Sequence, residues 1–307
     1  MRKVALLLLL MLPAGELLAA KIRIVVETPG GVHQRVYLAR PSKLGADRPI
    51  VFLMHGEGRN AAELRNRWYG LAVEHDFLLV VPEFNERDFP GVQGYEFGNV
   101  YGPKGGARDP SRWAFSAIEP LFDELRQRYG MTAATYGLFG EAAGAGFVHR
   151  FVYHVPDARV TRAVAANAGW YTMPEFGTPF PYGLRDSTLG PKKFRLALQR
   201  PLIILLSEGA TATEGDDFRQ TPEAMAQGAS RFARGRAFFE AGQAAAARLG
   251  LALGWQTDTV SGSGLDDEKL LEVAIPYLLE GGVGLDALGR RAAPPARAFA
   301  ARPSSPP

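Results

Sequence analysis

The chain has 307 residues, of which 47% are hydrophobic and none is cysteine, and its formal net charge is +3. This length and hydrophobic content suffice for one α/β domain of roughly 250 residues with extensions. The positive charge comes mostly from the last residues, which carry four arginines and no acid, so the remainder is slightly acidic. The composition therefore argues against a nucleic-acid partner, and the absence of cysteine excludes disulfides and a lipid-attachment site.

The first twenty residues have the pattern of a secretory signal peptide. Arg2 and Lys3 precede an apolar run at residues 4–12, and the small residues Ala19 and Ala20 follow. The apolar run is about half as long as a membrane-spanning helix needs to be. We therefore expect residues 1–20 to be a signal peptide cleaved near Ala20, no stable membrane anchor, and a periplasmic or secreted protein.

Strand and helix patterns alternate along the rest of the chain. Residues 21–27 and 34–39 alternate branched and polar side chains around a Pro-Gly-Gly turn, which predicts a β-hairpin at a sheet edge. Apolar runs of strand length lie at residues 49–54, 77–81, 136–139 and 201–206, and further strands are predicted at residues 159–167 and 253–260. Helical patterns lie at residues 61–74, 113–129, 147–152, 228–249 and 267–279.

This alternation predicts an α/β fold with a doubly wound, mostly parallel sheet and an antiparallel N-terminal edge. We expect the domain to cover residues 21–287, with residues 288–307 forming a disordered tail rich in Ala, Pro and Arg. Ligands of such sheets bind at the carboxyl ends of the strands. The loops after residues 54, 139, 167, 206 and 260 should therefore converge on one site.

Residues 136–147 have the strand-turn-helix pattern of a G-x-S-x-G nucleophile elbow, but without its serine. Ala142 stands where the nucleophile is expected, and an alanine methyl group cannot attack a carbonyl. In an α/β-hydrolase the acid and then the histidine follow the nucleophile along the chain. Those positions fall at Ala210 and Leu265. The sequence thus predicts a degenerate triad and no catalytic residue.

The histidines support this interpretation without any assumption about which loop residue corresponds to which member of the triad. No histidine follows residue 154, so the order of nucleophile, acid and base cannot be completed. His149 is expected to pack in the core or at a helix end. His55 either reaches the rim of the pocket or orders the adjacent glycine loop. No histidine pair has metal-ligand spacing with a carboxylate, so we predict no metal site.

The backbone donors of an oxyanion hole do not depend on the missing side chains. They would be the N–H of Ala143 and one from the loop at Gly56 and Glu57. The carboxylate of Glu141 beside them would repel an anion unless it is paired, with Arg59 as the candidate partner. Another candidate for the pocket wall is Trp170, which alternatively packs in the core.

Four stretches resemble a known bacterial family. They are residues 54–61 (MHGEGRNA), 136–151 (YGLFG, then FVHRF), 167–174 (NAGWYTMP) and 221–228 (TPEAMAQG). They are similar to secreted α/β-hydrolases of the polyhydroxyalkanoate-depolymerase-like or feruloyl-esterase-like serine esterases, over about residues 45–280. Active members carry serine at the elbow, aspartate after the following core strand and histidine after the last strand, and this sequence departs at all three.

Three hypotheses remain open. The first is an exported pseudoenzyme that binds a small ester or carboxylate ligand, or a protein partner, through the former ester pocket. The second is a weak carboxylic-ester hydrolase that uses the oxyanion hole and a water positioned by Glu141 or Glu57. The third is a structural or assembly protein that uses the scaffold surface and the arginine-bearing tail. None of the three predicts a cofactor.

Overall fold

The computed structural model describes residues 18–210 and 218–279. The predicted signal peptide up to residue 17 and the predicted tail at 288–307 lie outside the described residues. The strands are β1 (Ala20–Glu27), β2 (His33–Arg40), β3 (Ile50–Met54), β4 (Leu78–Pro82), β5 (Tyr136–Glu141), β6 (Val160–Ala166), β7 (Leu202–Ser207) and β8 (Trp255–Val260). The helices are α1 (Ala61–Glu74), α2 (Gly91–Gly94), α3 (Ile118–Tyr129), α4 (Ala143–His154), α5 (Pro191–Gln199), α6 (Pro222–Met225), α7 (Arg231–Arg248) and α8 (Glu268–Leu279).

All eight strands form one sheet in the order β1-β2-β4-β3-β5-β6-β7-β8. Strand β2 pairs antiparallel with both β1 and β4. From β4 onward each neighbouring pair is parallel. The predicted fold class, a mostly parallel sheet with an antiparallel N-terminal edge, is therefore confirmed.

Two hydrophobic cores cover the two faces of the sheet. Alternate residues of β3 supply both, with Ile50 and Phe52 on one face and Val51 and Leu53 on the other. Helices α3, α4, α5 and α7 pack on the first face, and α1 and α8 pack on the second. Strands buried on both faces read as continuous apolar runs, which is why the sequence located β3 so closely.

Helix α5 was not predicted, because the preceding loop is rich in Pro, Gly and aromatic residues. Its signal is nevertheless present: Pro191 opens the helix, and Phe194, Ala197 and Leu198 are buried at helical spacing. Helix α7 begins at Arg231, three residues later than predicted. Its N-cap is Ser230, whose hydroxyl accepts a hydrogen bond from a backbone N–H of the first turn.

Helix α4 approaches the carboxyl end of the sheet unusually closely. A Cβ atom on Gly140 would lie 2.2 Å from the carbonyl oxygen of Gly144, and one on Gly144 would lie 2.2 Å from the carbonyl oxygen of Met54. Only glycine permits these approaches. They bring the first turn of α4 against the end of β3 and the loop that follows it.

We expect Gly144→Ala to destabilise the fold by about 3 kcal/mol, because backbone atoms must shift to admit the methyl group. Gly70→Ala is the matched control, since Gly70 lies on the exposed side of α1 with open space around its Cα. That change should stabilise the fold by about 1 kcal/mol through helix propensity. Urea denaturation of both variants measures the difference, and equal stabilities would contradict the close approach.

Candidate ligand-binding site

The backbone at Ala142 has the conformation of a nucleophile elbow. Its φ is 53° and its ψ is −114°, between the end of β5 and the start of α4. Its N–H donates to the carbonyl of Ala166 at 3.0 Å, and its own carbonyl accepts from the N–H of Gly146 at 3.1 Å. A non-glycine residue in this region costs on the order of 1–3 kcal/mol, so surrounding structure must hold it there.

A cavity of about 470 Å³ opens beside this elbow. Its wall combines the loop after β3, helix α1, the elbow and the loop after β8. Ala142 and Leu265 both line it, whereas Ala210 is buried outside it. The loop that carries Ala210 nevertheless contacts the loop before Leu265, because Gly209 N–H donates to the carbonyl of Ser263 at 2.7 Å. The three predicted triad positions thus lie in neighbouring segments, and their assignment stays a prediction.

The side chains that line the described cavity include no serine, threonine, cysteine or histidine. Two histidines of the described chain lie at its surface or at a helix end: His33 is exposed on β2, and His75 follows α1. His149 is buried in α4, where its Nδ1 donates to a backbone carbonyl one turn earlier and its Nε2 accepts from Thr172 N–H at 3.2 Å. Burial holds the pKa of His149 well below its ordinary value, so the ring is neutral.

The ring of His55 does not line the cavity, in contrast to its predicted place among the pocket residues. It is fully buried and stacks on Tyr95 with ring centroids 4.4 Å apart. Its Nδ1 donates to the carbonyl of Gly56 at 2.9 Å, and its Nε2 accepts from Phe84 N–H at 3.0 Å. Burial lowers its pKa to about 4. His55 therefore orders the glycine loop, the other interpretation that its sequence context allowed.

Glu141 lines the cavity, and its carboxylate is largely removed from water. Burial raises its pKa to about 7. Its Oε1 accepts from the backbone N–H of Asp266 at 3.1 Å, and Arg67 Nη1 lies 3.8 Å from its Oε2. Arg67 also contacts the carboxylate of Asp266 at 2.6 Å. These partners only partly offset the loss of solvent, so Glu141 exchanges its proton near neutral pH.

Arg59, proposed from the sequence as the partner of Glu141, pairs elsewhere. Its guanidinium donates to the carbonyls of Phe84, Phe89 and Gly91 and lies 3.0 Å from a carboxylate oxygen of Glu86. The unsatisfied carbonyls of the loop after β4 therefore draw this side chain away from the elbow.

Glu57 and Trp170 also lie outside this cavity. Glu57 lines a second cavity of about 270 Å³ on the other side of the glycine loop. Trp170 is 3% exposed and packs against Phe97, with the guanidinium of Arg150 4.2 Å from its ring centroid. Arg150 projects from α4 and is itself buried, so it packs Trp170 into the interior of the domain. Trp170 thus follows the core-packing alternative.

The two segments predicted to carry oxyanion-hole donors each contribute one residue to the cavity lining, Ala142 before α4 and Gly56 after β3. Ala143 and Glu57 are not among its described lining residues, so the oxyanion hole stays a prediction. Ala143 is the first residue of α4, so its N–H has no acceptor within the helix. Gly56 lines the same cavity, in a turn closed by a hydrogen bond from Arg59 N–H to the carbonyl of Gly56. These N–H groups belong to the backbone, and the fold positions them whatever side chain occupies residue 142.

Three lining residues of α1, Glu63, Arg67 and Trp68, were not predicted from the sequence. Asp266, from the loop after β8, also lines the cavity. Glu63 and Arg67 stand four residues apart, which places them on one helix face directly after the glycine loop. That spacing could have identified Glu63 and Arg67 as lining residues from the sequence. Across residues 18–210 and 218–279, no group of three metal-ligating side chains is arranged to hold an ion.

Two solved structures are similar to this chain over most of its length. Poly(aspartic acid) hydrolase-1 from Sphingomonas sp. KT-1 is 36% identical, with a TM-score of 0.83 over 86% of this chain and 100% of that one. LpqC, a poly(3-hydroxybutyrate) depolymerase from Bordetella parapertussis, is 33% identical, with a TM-score of 0.78 over 84% of this chain and 88% of that one. The chain belongs to their α/β-hydrolase family.

More distant α/β structures share only the fold with this α/β-hydrolase. Mycobacterium tuberculosis MPT51 (FbpC1) is 14% identical, with a TM-score of 0.51 over 85% of this chain and 100% of that one. No family model matches the chain, and no curated protein matches it. In the described part of this α/β-hydrolase, no helix has the length and apolarity required to cross a bilayer.

The raised pKa of Glu141 makes a specific prediction for the stability of this α/β-hydrolase. The folded state holds a proton up to a pKa of about 7, whereas the ordinary value is 4.5. The protonated Glu141 side chain therefore contributes stability that is fully present below pH 4.5 and is lost as the pH rises through about 7. The Glu141→Gln variant does not lose stability in this way, because glutamine has no proton to release in this range. Its free energy of unfolding, relative to the unmutated protein, should therefore rise by up to about 3 kcal/mol between pH 4.5 and pH 8.

Urea denaturation at several pH values measures this difference. The control is Glu240→Gln on α7, where the carboxylate is exposed and pairs only with Arg236 among the described residues. The stability of the control relative to the unmutated protein should not change with pH over the same range. A similarly flat result for Glu141→Gln would show that Glu141 titrates as an ordinary carboxylate.

Proposed function

We propose that the protein is an exported, catalytically silent α/β-hydrolase homologue that binds a ligand or a protein partner through the cavity beside Ala142. One observation carries this proposal. The cavity keeps an elbow backbone and the helix donors beside it, while the side chains of Ala142 and Leu265 stand at the predicted places of nucleophile and base.

Acyl transfer through a covalent intermediate requires a nucleophile and a base within hydrogen-bond reach of each other. A methyl group and an isobutyl group supply neither function. The ring nitrogens of His55 and His149 are engaged with backbone groups, so neither ring is available to take a proton. The chemistry of the cavity wall therefore supports binding in preference to ester hydrolysis.

The energetics of the site also support a binding role. The strained backbone of Ala142 costs on the order of 1–3 kcal/mol. An open cavity forgoes the burial of apolar surface, which is worth about 25 cal/mol per Å². Neither feature stabilises the fold. Their presence together is what is expected of a cavity that holds a ligand.

Export is proposed from residues 1–20, and a small ester or carboxylate ligand, or a protein partner, remains the proposed occupant. Cell fractionation tests the location, because recovery of the full-length chain only from the cytoplasm would contradict export. The surface-binding alternative has its main feature, the arginine-bearing tail, outside the described residues, so no structural observation favours it over the cavity.

We expect the purified mature protein to hydrolyse p-nitrophenyl acetate and butyrate no faster than a buffer blank. Ala142→Ser should remain at this background, because the new hydroxyl has no base to activate it. The triple change Ala142→Ser, Ala210→Asp and Leu265→His should exceed the single change by on the order of a hundredfold, the usual contribution of a positioned base.

Two results would contradict these expectations. The first is turnover by the unmutated protein that persists through a second purification. The second is turnover by Ala142→Ser alone, which would mean that a base other than a residue at position 265 serves the elbow. Leu265→His without the serine is the matched control, and it should stay at background.

A second candidate function is slow hydrolysis with Glu141 as a general base. The observation that favours it is the pKa of about 7, close to the value at which a base works best at neutral pH. The cavity also contains the segments that carry the backbone donors. Glu57, the other carboxylate considered from the sequence, lines the second cavity, so the structure does not support it in this role.

Glu141→Gln tests this candidate directly, because the amide keeps the shape of the side chain and cannot accept the proton. We expect any residual hydrolysis to be unchanged, since it arises from background. A fall of tenfold or more, together with loss of a rate step near pH 7 in the unmutated protein, would establish Glu141 as a base. Glu57→Gln is the control and should have no effect under either outcome.

A further inference from the structure

Strand β1 forms one edge of the sheet, and no strand of the described chain pairs with its outer side. It pairs with β2 along its whole length, from Ala20 opposite Arg40 to Glu27 opposite His33, without a register shift. Edge strands are usually short, bulged or interrupted by proline, because an open row of N–H and C=O groups is a template for another strand. Strand β1 has eight residues, no proline and no bulge, so this template stays open.

The hydrogen bonds of the hairpin identify the backbone groups of β1 that point outward. The N–H of Thr28 donates to the carbonyl of Val32 at 2.9 Å, in the same register as the β1–β2 pairs. The carbonyl of Arg35, which lies opposite Val25, instead accepts from Glu83 N–H at 2.8 Å on the other side of β2. Hydrogen-bonded and non-hydrogen-bonded pairs alternate in an antiparallel ladder. Even-numbered residues of β1 therefore bond to β2, and the outward N–H and C=O groups are those of residues 21, 23, 25 and 27.

The same four residues carry exposed side chains, and their charges are divided between the two ends of the strand. Lys21 and Arg23 lie in the first half, Val25 follows, and Glu27 ends the strand. The ammonium group of Lys21 lies 4.8 Å from the ring centroid of Tyr69 on α1. Val25 is 56% exposed, which is unusual for a branched apolar side chain in a strand. The outer edge of β1 is therefore positive at its start, apolar near its middle and negative at its end.

This order of charges is complementary to itself when two copies of β1 pair antiparallel. With a two-fold axis at Ile24, Lys21 of each copy lies directly opposite Glu27 of the other. Arg23 then lies opposite Val25 of the second copy, with Glu27 as its diagonal neighbour. Opposite charges on facing residues stabilise a strand pair, and like charges destabilise it. A parallel, in-register pair would place like charges side by side, so the charges select the antiparallel arrangement.

The axis at Ile24 uses more of the strand than the neighbouring axes do. An axis at Val25 places Lys21 opposite Pro29, which has no N–H to donate. An axis at Arg23 places that arginine opposite its own copy, where the two charges repel each other. With the axis at Ile24, every outward N–H and C=O group from residue 21 to residue 27 has a partner. The stem of Arg23 also covers the exposed Val25 of the second copy.

We propose that two copies of the protein associate through β1, antiparallel and with the axis at Ile24, so that their two sheets form one continuous sheet. Strand β1 runs in the same direction as β4, because β2 is antiparallel to both. The carboxyl ends of the parallel strands therefore point in opposite directions in the two copies. The described lining of neither cavity includes a residue of β1. The dimer thus carries the two elbow cavities at opposite ends, and its formation does not depend on what they bind.

Sedimentation velocity over a range of concentrations of the purified mature protein tests the association. One strand pair makes an interface smaller than the standard size, so we expect a monomer–dimer equilibrium with a dissociation constant in the micromolar range. Val25→Pro should weaken association by at least about tenfold, because proline removes an outward N–H that β2 does not use. Urea denaturation checks that this variant remains folded. An unmutated protein that stays monomeric at several hundred micromolar overturns the proposal.

Charge reversal tests the pairing of Lys21 with Glu27. Lys21→Glu and Glu27→Lys should each weaken association by about tenfold, because each creates like-charge contacts on both sides of the axis. The double change Lys21→Glu with Glu27→Lys brings opposite charges together again and should restore association. A general loss of folding would not be repaired in this way. Glu240→Lys on exposed α7 is the matched control and should leave association unchanged. Failure of the double change to restore the dimer overturns this pairing.

A single cysteine reports the position of the axis, since the protein itself contains none. Ile24 and its copy would form a non-hydrogen-bonded pair with Cα atoms about 4.5 Å apart, a distance that a disulfide can bridge. Ile24→Cys should therefore cross-link to a dimer under mild oxidation. Val26 is half-buried on the same face and is the matched control. The two thiols of Val26→Cys would lie about 13 Å apart along the strand direction and should not cross-link.

These measurements distinguish the dimer from other uses of the edge. Cross-linking of Val26→Cys as fast as Ile24→Cys overturns the position of the axis. Association that is insensitive to Val25→Pro and to both charge reversals shows that the copies meet through another surface, which overturns the role of β1. Ester turnover or ligand binding by the unmutated protein bears on the cavity alone.

Discussion

The close contact between helix α4 and the carboxyl end of β3 determines the rest of the site. Gly140 and Gly144 permit it, since a Cβ atom at either position would lie 2.2 Å from a backbone oxygen. The contact forces the chain at Ala142 into a left-handed turn with φ of 53°. It also places the N-terminus of α4 beside the glycine loop. This packing thereby places the elbow, and Glu141 immediately before it, at the wall of the cavity.

The sequence predicted the sheet well because strands buried on both faces have few alternatives. Continuous apolar runs mark β3, β4 and β7, and the alternation at residues 21–39 marks the antiparallel hairpin. The elbow was found for a similar reason: few structures place two glycines at this spacing between an apolar strand and an apolar helix. Helix α5 was missed because a loop rich in proline and glycine masked the three buried residues that define it.

The side chains of the site were harder to predict than its backbone. His55 and Trp170 have the composition of pocket residues, yet buried partners hold both elsewhere: Phe84 N–H and Tyr95 hold His55, and Arg150 holds the tryptophan. Glu141 pairs with Arg67 from α1 and not with Arg59, which the carbonyls of a neighbouring loop attract. The expected approach of the glycine loop to the elbow suggested Arg59 as the partner of Glu141, whereas the partner that forms depends on which donors and acceptors burial leaves unsatisfied.

The same scaffold can serve catalysis or binding, and the side chains in the cavity decide between them. Catalysis needs interactions that strengthen in the transition state, so tight binding of the ground state is a disadvantage for an enzyme. The proposed binding function is free of that restriction, because the methyl group of Ala142 at the elbow offers no nucleophile for a covalent intermediate. Fixed charges can then contribute fully to affinity, and here Glu63, Glu141 and Asp266 outnumber Arg67. This excess of carboxylates among the described lining residues includes Glu141, whose pKa burial raises to about 7, so the charge of the wall changes near neutral pH.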